Sequence, residues 1–184
     1  MTREYQFKSL QPKNLTSDFK YSVTAFAFRQ ADVLTIQYHI HDPLHEIQWA
    51  KEKKFERQDY LWENTCFEAF IGTPNQSNYF ELNISPSLAW NFYRFTDYRT
   101  PTDMPPNRVL EPALTQLEIT DQKITAVIDL NTLQLTTQEI VIGLSAIIKT
   151  SEKIEYLALH HPKSEADFHD STGWTIRLLP DAQK

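Results

Sequence analysis

The sequence predicts an all-β fold, an antiparallel β-sandwich of two packed sheets with a few short helical or loop insertions. Three observations lead there. Apolar residues recur at every second position through most of the chain, and the i, i+3, i+4 stripe of an amphipathic helix is scarce. The alternating runs are short, about ten in number, and lack the helix-length connections that parallel strands need. Finally, 184 residues with 41% hydrophobic content suffice for one core, and no Gly/Ser linker, low-complexity tract or repeat divides them. Residues 1–184 are therefore expected to form a single domain.

The clearest strand is Val33–Ile40, where Leu34, Ile36, Tyr38 and Ile40 share one face while Thr35, Gln37 and His39 share the other. Similar runs occupy Tyr21–Arg29, Cys66–Ile71, Tyr79–Ser85, Trp90–Phe95 and Leu114–Thr120. Further runs lie at Lys123–Leu130, Ile140–Ile148, Ile154–His160 and Trp174–Leu179. Two stretches break the pattern. Between Ile47 and Tyr60, Lys51, Glu52, Lys53, Lys54, Glu56 and Arg57 surround Trp49 and Phe55, which suits a solvated helix or a long loop equally. Between Thr100 and Pro112, Pro101, Pro105, Pro106 and Pro112 cannot donate to a regular ladder, so a surface connection is expected.

Composition excludes several functions. A formal charge of -6 gives no general attraction to phosphate backbones or anionic lipid, so nucleic-acid partners are not expected. No run approaches the roughly 18 apolar residues of a membrane span. Met1–Gln6 lacks the apolar stretch of a secretory signal, so a soluble, cytoplasmic protein is expected. The lone cysteine, Cys66, rules out an intrachain disulfide and multi-cysteine metal sites. Gly72, Gly143 and Gly173 lie too far apart to build a phosphate-cradling loop.

The segment Trp62–Phe95 reads as a three-stranded meander with turns at Thr73–Asn78 and Pro86–Ala89. Grouping Phe67, Ala69 and Ile71 with Phe80, Leu82 and Ile84, and those with Tyr93 and Phe95, makes one face apolar and assigns it to the core. The opposite face then collects Glu68, Glu81, Asn83, Trp90 and Arg94, with Glu81 opposite Arg94 and Ser85 opposite Trp90. Rings for the apolar side of a pyranose, beside carboxylate, amide and guanidinium for its hydroxyls, make this a candidate sugar-binding face. The alternative is the ordinary wet face of an antiparallel sheet, with Glu81 and Arg94 as a plain ion pair.

At these residues the sequence resembles the DOMON-like family, relatives of the family 9 carbohydrate-binding modules and of haem-binding DOMON domains. The matching pieces are Leu61-Trp62, Thr65-Cys66-Phe67-Glu68, Tyr79-Phe80-Glu81-Leu82-Asn83, Ser85-Pro86, Trp90, Tyr93 and Tyr98-Arg99. Ala158-Leu159-His160-His161-Pro162 and Asp167-Phe168-His169 continue the match toward the C-terminus. The resemblance implies a two-sheet sandwich with a ligand-binding role, and Trp62 and Trp90 as candidate stacking rings for a sugar. It also implies a haem alternative, in which a methionine pairs with a histidine or lysine on iron. Met1 and Met104 are the only methionines, and neither is placed in such a pair by the sequence, so no cofactor is expected.

No catalytic constellation stands out. His39, His41 and His45 could chelate a divalent metal, but strand-end histidines are more often solvated, and no metal is expected. Asp167 and His169 could orient one another as an acid–base pair, or tie an irregular loop to the sheet end through backbone hydrogen bonds, the commoner arrangement. Glu68 and Glu81 could flank a glycosidic bond. Cys66, within a strand, reads as a packing residue. The leading expectation is a non-catalytic module binding a small ligand, sugar or similar polyol, through Trp62, Glu68, Glu81, Asn83, Trp90 and Arg94. The alternatives are a haem or other cofactor binder and a protein-interaction domain.

Overall fold

A computed structural model describes residues 8–9, 11–12, 21–49, 52–120 and 122–181. Thirteen strands form two sheets in it. The smaller sheet holds β1 (Lys8–Ser9), β3 (Ser22–Gln30), β4 (Val33–His41), β10 (Lys123–Asp129) and β9 (Leu114–Ile119), in the order β1-β3-β4-β10-β9. The larger sheet is built from β2 (Gln11–Pro12), β12 (Ile154–Ala158), β11 (Ile140–Lys149), β6 (Cys66–Gly72), β7 (Tyr79–Ile84), β8 (Ala89–Phe95) and β5 (Glu56–Arg57), in that order. β13 (Ile176–Leu178) also pairs with β11. Among the described residues every strand pairing is antiparallel except β5 with β8. No helix of the described residues is long and apolar enough to cross a membrane.

Each long strand read from the sequence is present, with ends moved by no more than two residues. The period of two survives because each pleat sends alternate side chains to opposite sides. Leu34, Ile36, Tyr38 and Ile40 meet Phe67, Ala69, Ile71, Phe80, Leu82 and Ile84 in one core between the sheets. One polar bond crosses that core, where the buried Tyr38 hydroxyl donates to the Glu68 carbonyl at 2.6 Å and fixes β6 against the opposite sheet. The Ile47–Tyr60 stretch has no helix among its described residues; it runs irregularly and supplies β5. Thr100–Pro112 is the expected irregular connection.

The meander holds the main departure from the expected register. β6 and β7 pair as expected, with Glu68 opposite Asn83 and Phe67 opposite Ile84. Across the next turn, however, Glu81 stands opposite Tyr93, Phe80 opposite Arg94 and Ile84 opposite Trp90. The turn is one residue shorter than expected. Leu88 adopts φ 67°, its N–H bonds the Ser85 carbonyl at 3.0 Å, and Ser85 N–H bonds the Ala89 carbonyl at 2.8 Å. That is a three-residue hairpin loop with a left-handed last residue, a conformation that leucine side chains disfavour. The Ser87 hydroxyl offsets part of the cost by donating to Ser85 Oγ at 2.9 Å and accepting from Ala89 N–H at 3.3 Å.

One residue fewer sends all of β8 to the other side. Trp90 and Phe92 therefore join the core between the sheets, whereas Tyr93 and Phe95 pack on the outer face with Phe70, Tyr79 and Trp174. The Arg57 guanidinium lies 4.5 Å over the Trp90 ring. Arg94 lies exposed over Phe80 at 5.4 Å, and no Glu81–Arg94 pair exists.

Candidate functional site

On the outer face of the larger sheet the pleat directs Cys66, Glu68 and Phe70 from β6, Tyr79, Glu81 and Asn83 from β7, and Ser145 and Ile147 from β11. This face is not wet. Glu68 is 3% exposed, Glu81 5% and Asn83 0%, because two irregular segments fold across it. A cavity of about 360 Å³ remains beneath them. Its floor carries Glu68, Glu81 and Ile147; its walls are Trp62, Tyr156 and Phe168, with Arg99, Met104 and His169 closing the rim.

Each wall residue has a local reason for its place. Tyr60, in the left-handed region at φ 61°, starts the 3-10 turn Leu61–Glu63, which turns Trp62 edge-on to Tyr93 at 6.0 Å. Beyond β8 the chain reverses tightly, with Thr100 N–H bonding the Asp97 carbonyl at 2.9 Å and Arg99 at φ 48°. The reversal brings Arg99 and the following prolines back over the sheet; Pro101 and Pro106 line the cavity. The C-terminal segment is pinned to that reversal. Asp167 accepts hydrogen bonds from Tyr98 Oη at 2.7 Å, Arg99 at 3.1 Å and Lys163 Nζ at 2.7 Å. The Trp174 indole N–H holds the Phe168 carbonyl at 2.9 Å. Asp167 and His169 thus tie the loop down through side chains, not through the backbone bonds expected for them.

The electrostatics follow from enclosure. Burial, and then the charge of Glu81, push the Glu68 carboxyl well above its usual range. Burial raises Glu81 to about 7, against a 2.8 Å hydrogen bond from Asn83 Nδ2 and the Arg99 charge. Ser145 Oγ gives Glu68 a long hydrogen bond of 3.4 Å. Burial and the Arg99 charge push His169 down to about 3, so its ring is neutral, with Nδ1 on the Tyr79 hydroxyl at 2.7 Å and Nε2 3.8 Å from Glu81. Burial pushes the Asp167 carboxyl up, but its hydrogen bonds from Lys163, Tyr98 and Arg99 outweigh this and hold it at about 2. Burial also raises the Cys66 thiol far above its usual value, so no thiolate nucleophile forms there.

Of the six site residues read from the sequence, Trp62, Glu68 and Glu81 line the cavity, and Asn83 lies on the same face as the partner of Glu81. Trp90 and Arg94 are corrected: the shortened turn places them on the far side of the sheet. Arg99, Tyr156, Phe168 and His169 were missed as site residues. The signal for three of them was present, since Tyr98-Arg99 and Asp167-Phe168-His169 recur in the family resemblance far from the meander. A haem does not fit here. Met104 and His169 both line the cavity, but His169 Nδ1 is taken by the Tyr79 hydroxyl at 2.7 Å, its Nε2 faces the Glu81 carboxyl at 3.8 Å, and the floor offers carboxyl groups where a porphyrin face needs apolar surface. Among the described residues no group of three His, Cys, Asp or Glu could hold a metal ion.

No protein-family model and no curated protein matches the chain. Solved structures match its fold. A candidate carbohydrate-binding protein from Bacteroides uniformis superimposes with a TM-score of 0.66 at 11% identity, covering 95% of this chain and 85% of that one. A family 9 carbohydrate-binding module from Caldicellulosiruptor kristjanssonii, in complex with cellotriose, does so with a TM-score of 0.58 at 9% identity, covering 97% of this chain and 84% of that one. The chain therefore has the sandwich fold of these proteins.

Proposed function

We propose that this protein is a non-catalytic binding module for a carbohydrate or similar polyol, held in the cavity on the outer face of the larger sheet. The observation that carries this reading is the makeup of that cavity, where two buried carboxyls form the floor and Trp62, Tyr156 and Phe168 stand around it. Hydroxyl donors of a sugar satisfy the acids, and the rings cover its apolar C–H surface. A volume of about 360 Å³ lies at the small end of ligand pockets and suits one or two sugar rings. The likeness in fold to a module in complex with cellotriose supports the same ligand class. Titration calorimetry against mono- and oligosaccharides tests the reading: binding by the wild type and loss in W62A, with the melting transition retained, are expected. Silence across the whole panel would overturn it.

A further inference from the structure

Among the described residues one cation, Arg99, lines the cavity against two carboxyls. Glu68 and Glu81 sit at diagonal positions on neighbouring strands, a separation of roughly 7–8 Å between backbones, and both side chains turn into the same enclosure. Few donors reach them. Asn83 gives Glu81 one full hydrogen bond at 2.8 Å, Ser145 gives Glu68 a long one at 3.4 Å, and the Cys66 thiol beside Glu68 is a weak donor.

The cations nearby are shared with other groups, and the Arg99 charge reaches the two carboxyls from the rim. The Arg99 guanidinium spends Nη2 on Asp167 at 3.1 Å and Nε on Tyr98 Oη at 3.3 Å. Lys163 bridges Asp167 and Asp170 at 2.7 and 3.1 Å. His169 bonds Tyr79 and is uncharged near neutrality. Two buried carboxyls that share a single rim cation with Asp167 are held toward their protonated forms, so the pair retains protons. Trp62, Tyr156 and Phe168 line the same cavity, and the faces of such rings attract cations as well as C–H groups.

We propose that the ligand carries a protonated amine, of the amino-sugar class, and that its ammonium docks between Glu68 and Glu81. The inference rests on the carbohydrate reading above and adds the charge that the ligand must bring. Binding is then an exchange: the ammonium enters, the carboxyl protons leave to buffer, and the pair ends ionised against the cation.

Calorimetry of the full chain with D-glucosamine, D-glucose and ethanolamine at pH 6, in two buffers of different ionisation heat, tests the exchange. Glucosamine is expected to bind at least about tenfold more tightly than glucose and to release roughly one to two protons, visible as a buffer-dependent heat. E81Q should reduce glucosamine affinity toward that of glucose and lower the proton release. E68Q provides a second variant should E81Q fold poorly. Glucose binding as tightly as glucosamine, or glucosamine binding without proton release, overturns the amine and leaves the carbohydrate reading standing. Ethanolamine binding with silence from every sugar keeps the amine and overturns the carbohydrate. No binding by any of the three overturns both.

Discussion

The outer faces of the two sheets differ in kind. On the smaller sheet β4 keeps Val33 exposed and Gln37 and His39 partly so, opposite a buried apolar row, as expected of strands with water on one side. On the larger sheet β6 and β7 are buried on both faces, yet one of those faces carries Glu68, Glu81 and Asn83. Strands buried on both sides are ordinarily apolar throughout. Acids in such a place show that the covering segments enclose, beside the outer aromatic cluster of Phe70, Tyr79, Tyr93, Phe95 and Trp174, a chamber with an acidic floor, and the cavity is that chamber.

The largest test of this contrast removes a pillar of the cover. Trp174 stacks on Phe70 at 5.9 Å and holds Phe168 in place, so W174A is expected to cost about 3–5 kcal/mol in urea unfolding. F28A, on the open face of the smaller sheet, should cost roughly 1 kcal/mol. Equal losses would show that the cover contributes nothing beyond ordinary surface packing.

Next comes the dependence of stability on pH. The folded Glu81 carboxyl titrates at about 7 against an ordinary 4.5, so its contribution is complete below 4.5 and fades as pH rises through 7. The loss is roughly 3 kcal/mol by pH 8. His169 acts in the opposite sense: at about 3 in the fold against 6.5 unfolded, its contribution is complete above 6.5 and fades as pH falls toward 3. Thermal unfolding should accordingly be most favourable to the fold between these limits, and E81Q should flatten the alkaline side. A wild-type profile that keeps rising to pH 8 would contradict the buried acid.

Smaller effects separate cover from floor. An alanine Cβ at Gly143 would come within 2.2 Å of Trp174 Cδ1, so G143A should cost about 1–3 kcal/mol and weaken ligand binding by displacing the indole that fixes Phe168. D167A removes the partly exposed anchor of Arg99, Lys163 and Tyr98; stability should change by less than about 1 kcal/mol while affinity falls. The smallest expected change is that of R94A, which should leave binding unaltered because its side chain lies on the other side of the sheet.

Much of the fold was legible in the sequence, and of the six candidate site residues read from it Trp62, Glu68 and Glu81 line the cavity. Glu68, Glu81 and Asn83 share a face through the β6–β7 pairing, and the alternation within each strand was enough to group them. Trp90 and Arg94 went astray through a single turn residue, Leu88, whose backbone conformation is set by the hydrogen bonds of the hairpin and not by leucine's own preference. Arg99, Phe168 and His169 belong to segments with no period to read, and their arrival over the floor depends on long-range bonds such as Tyr98 to Asp167, whereas Tyr156 lies on β12, a strand whose place beside the cavity is set by its pairing with β11.

The sequence by itself determined which stretches are strands and which of their side chains alternate, because the pleat acts between neighbours and needs no partner. Only the tertiary structure decided on which side β8 displays its rings and that the acidic face is closed over. Those outcomes depend on a parity set by one turn and on contacts between residues tens of positions apart, and neither is encoded in local periodicity.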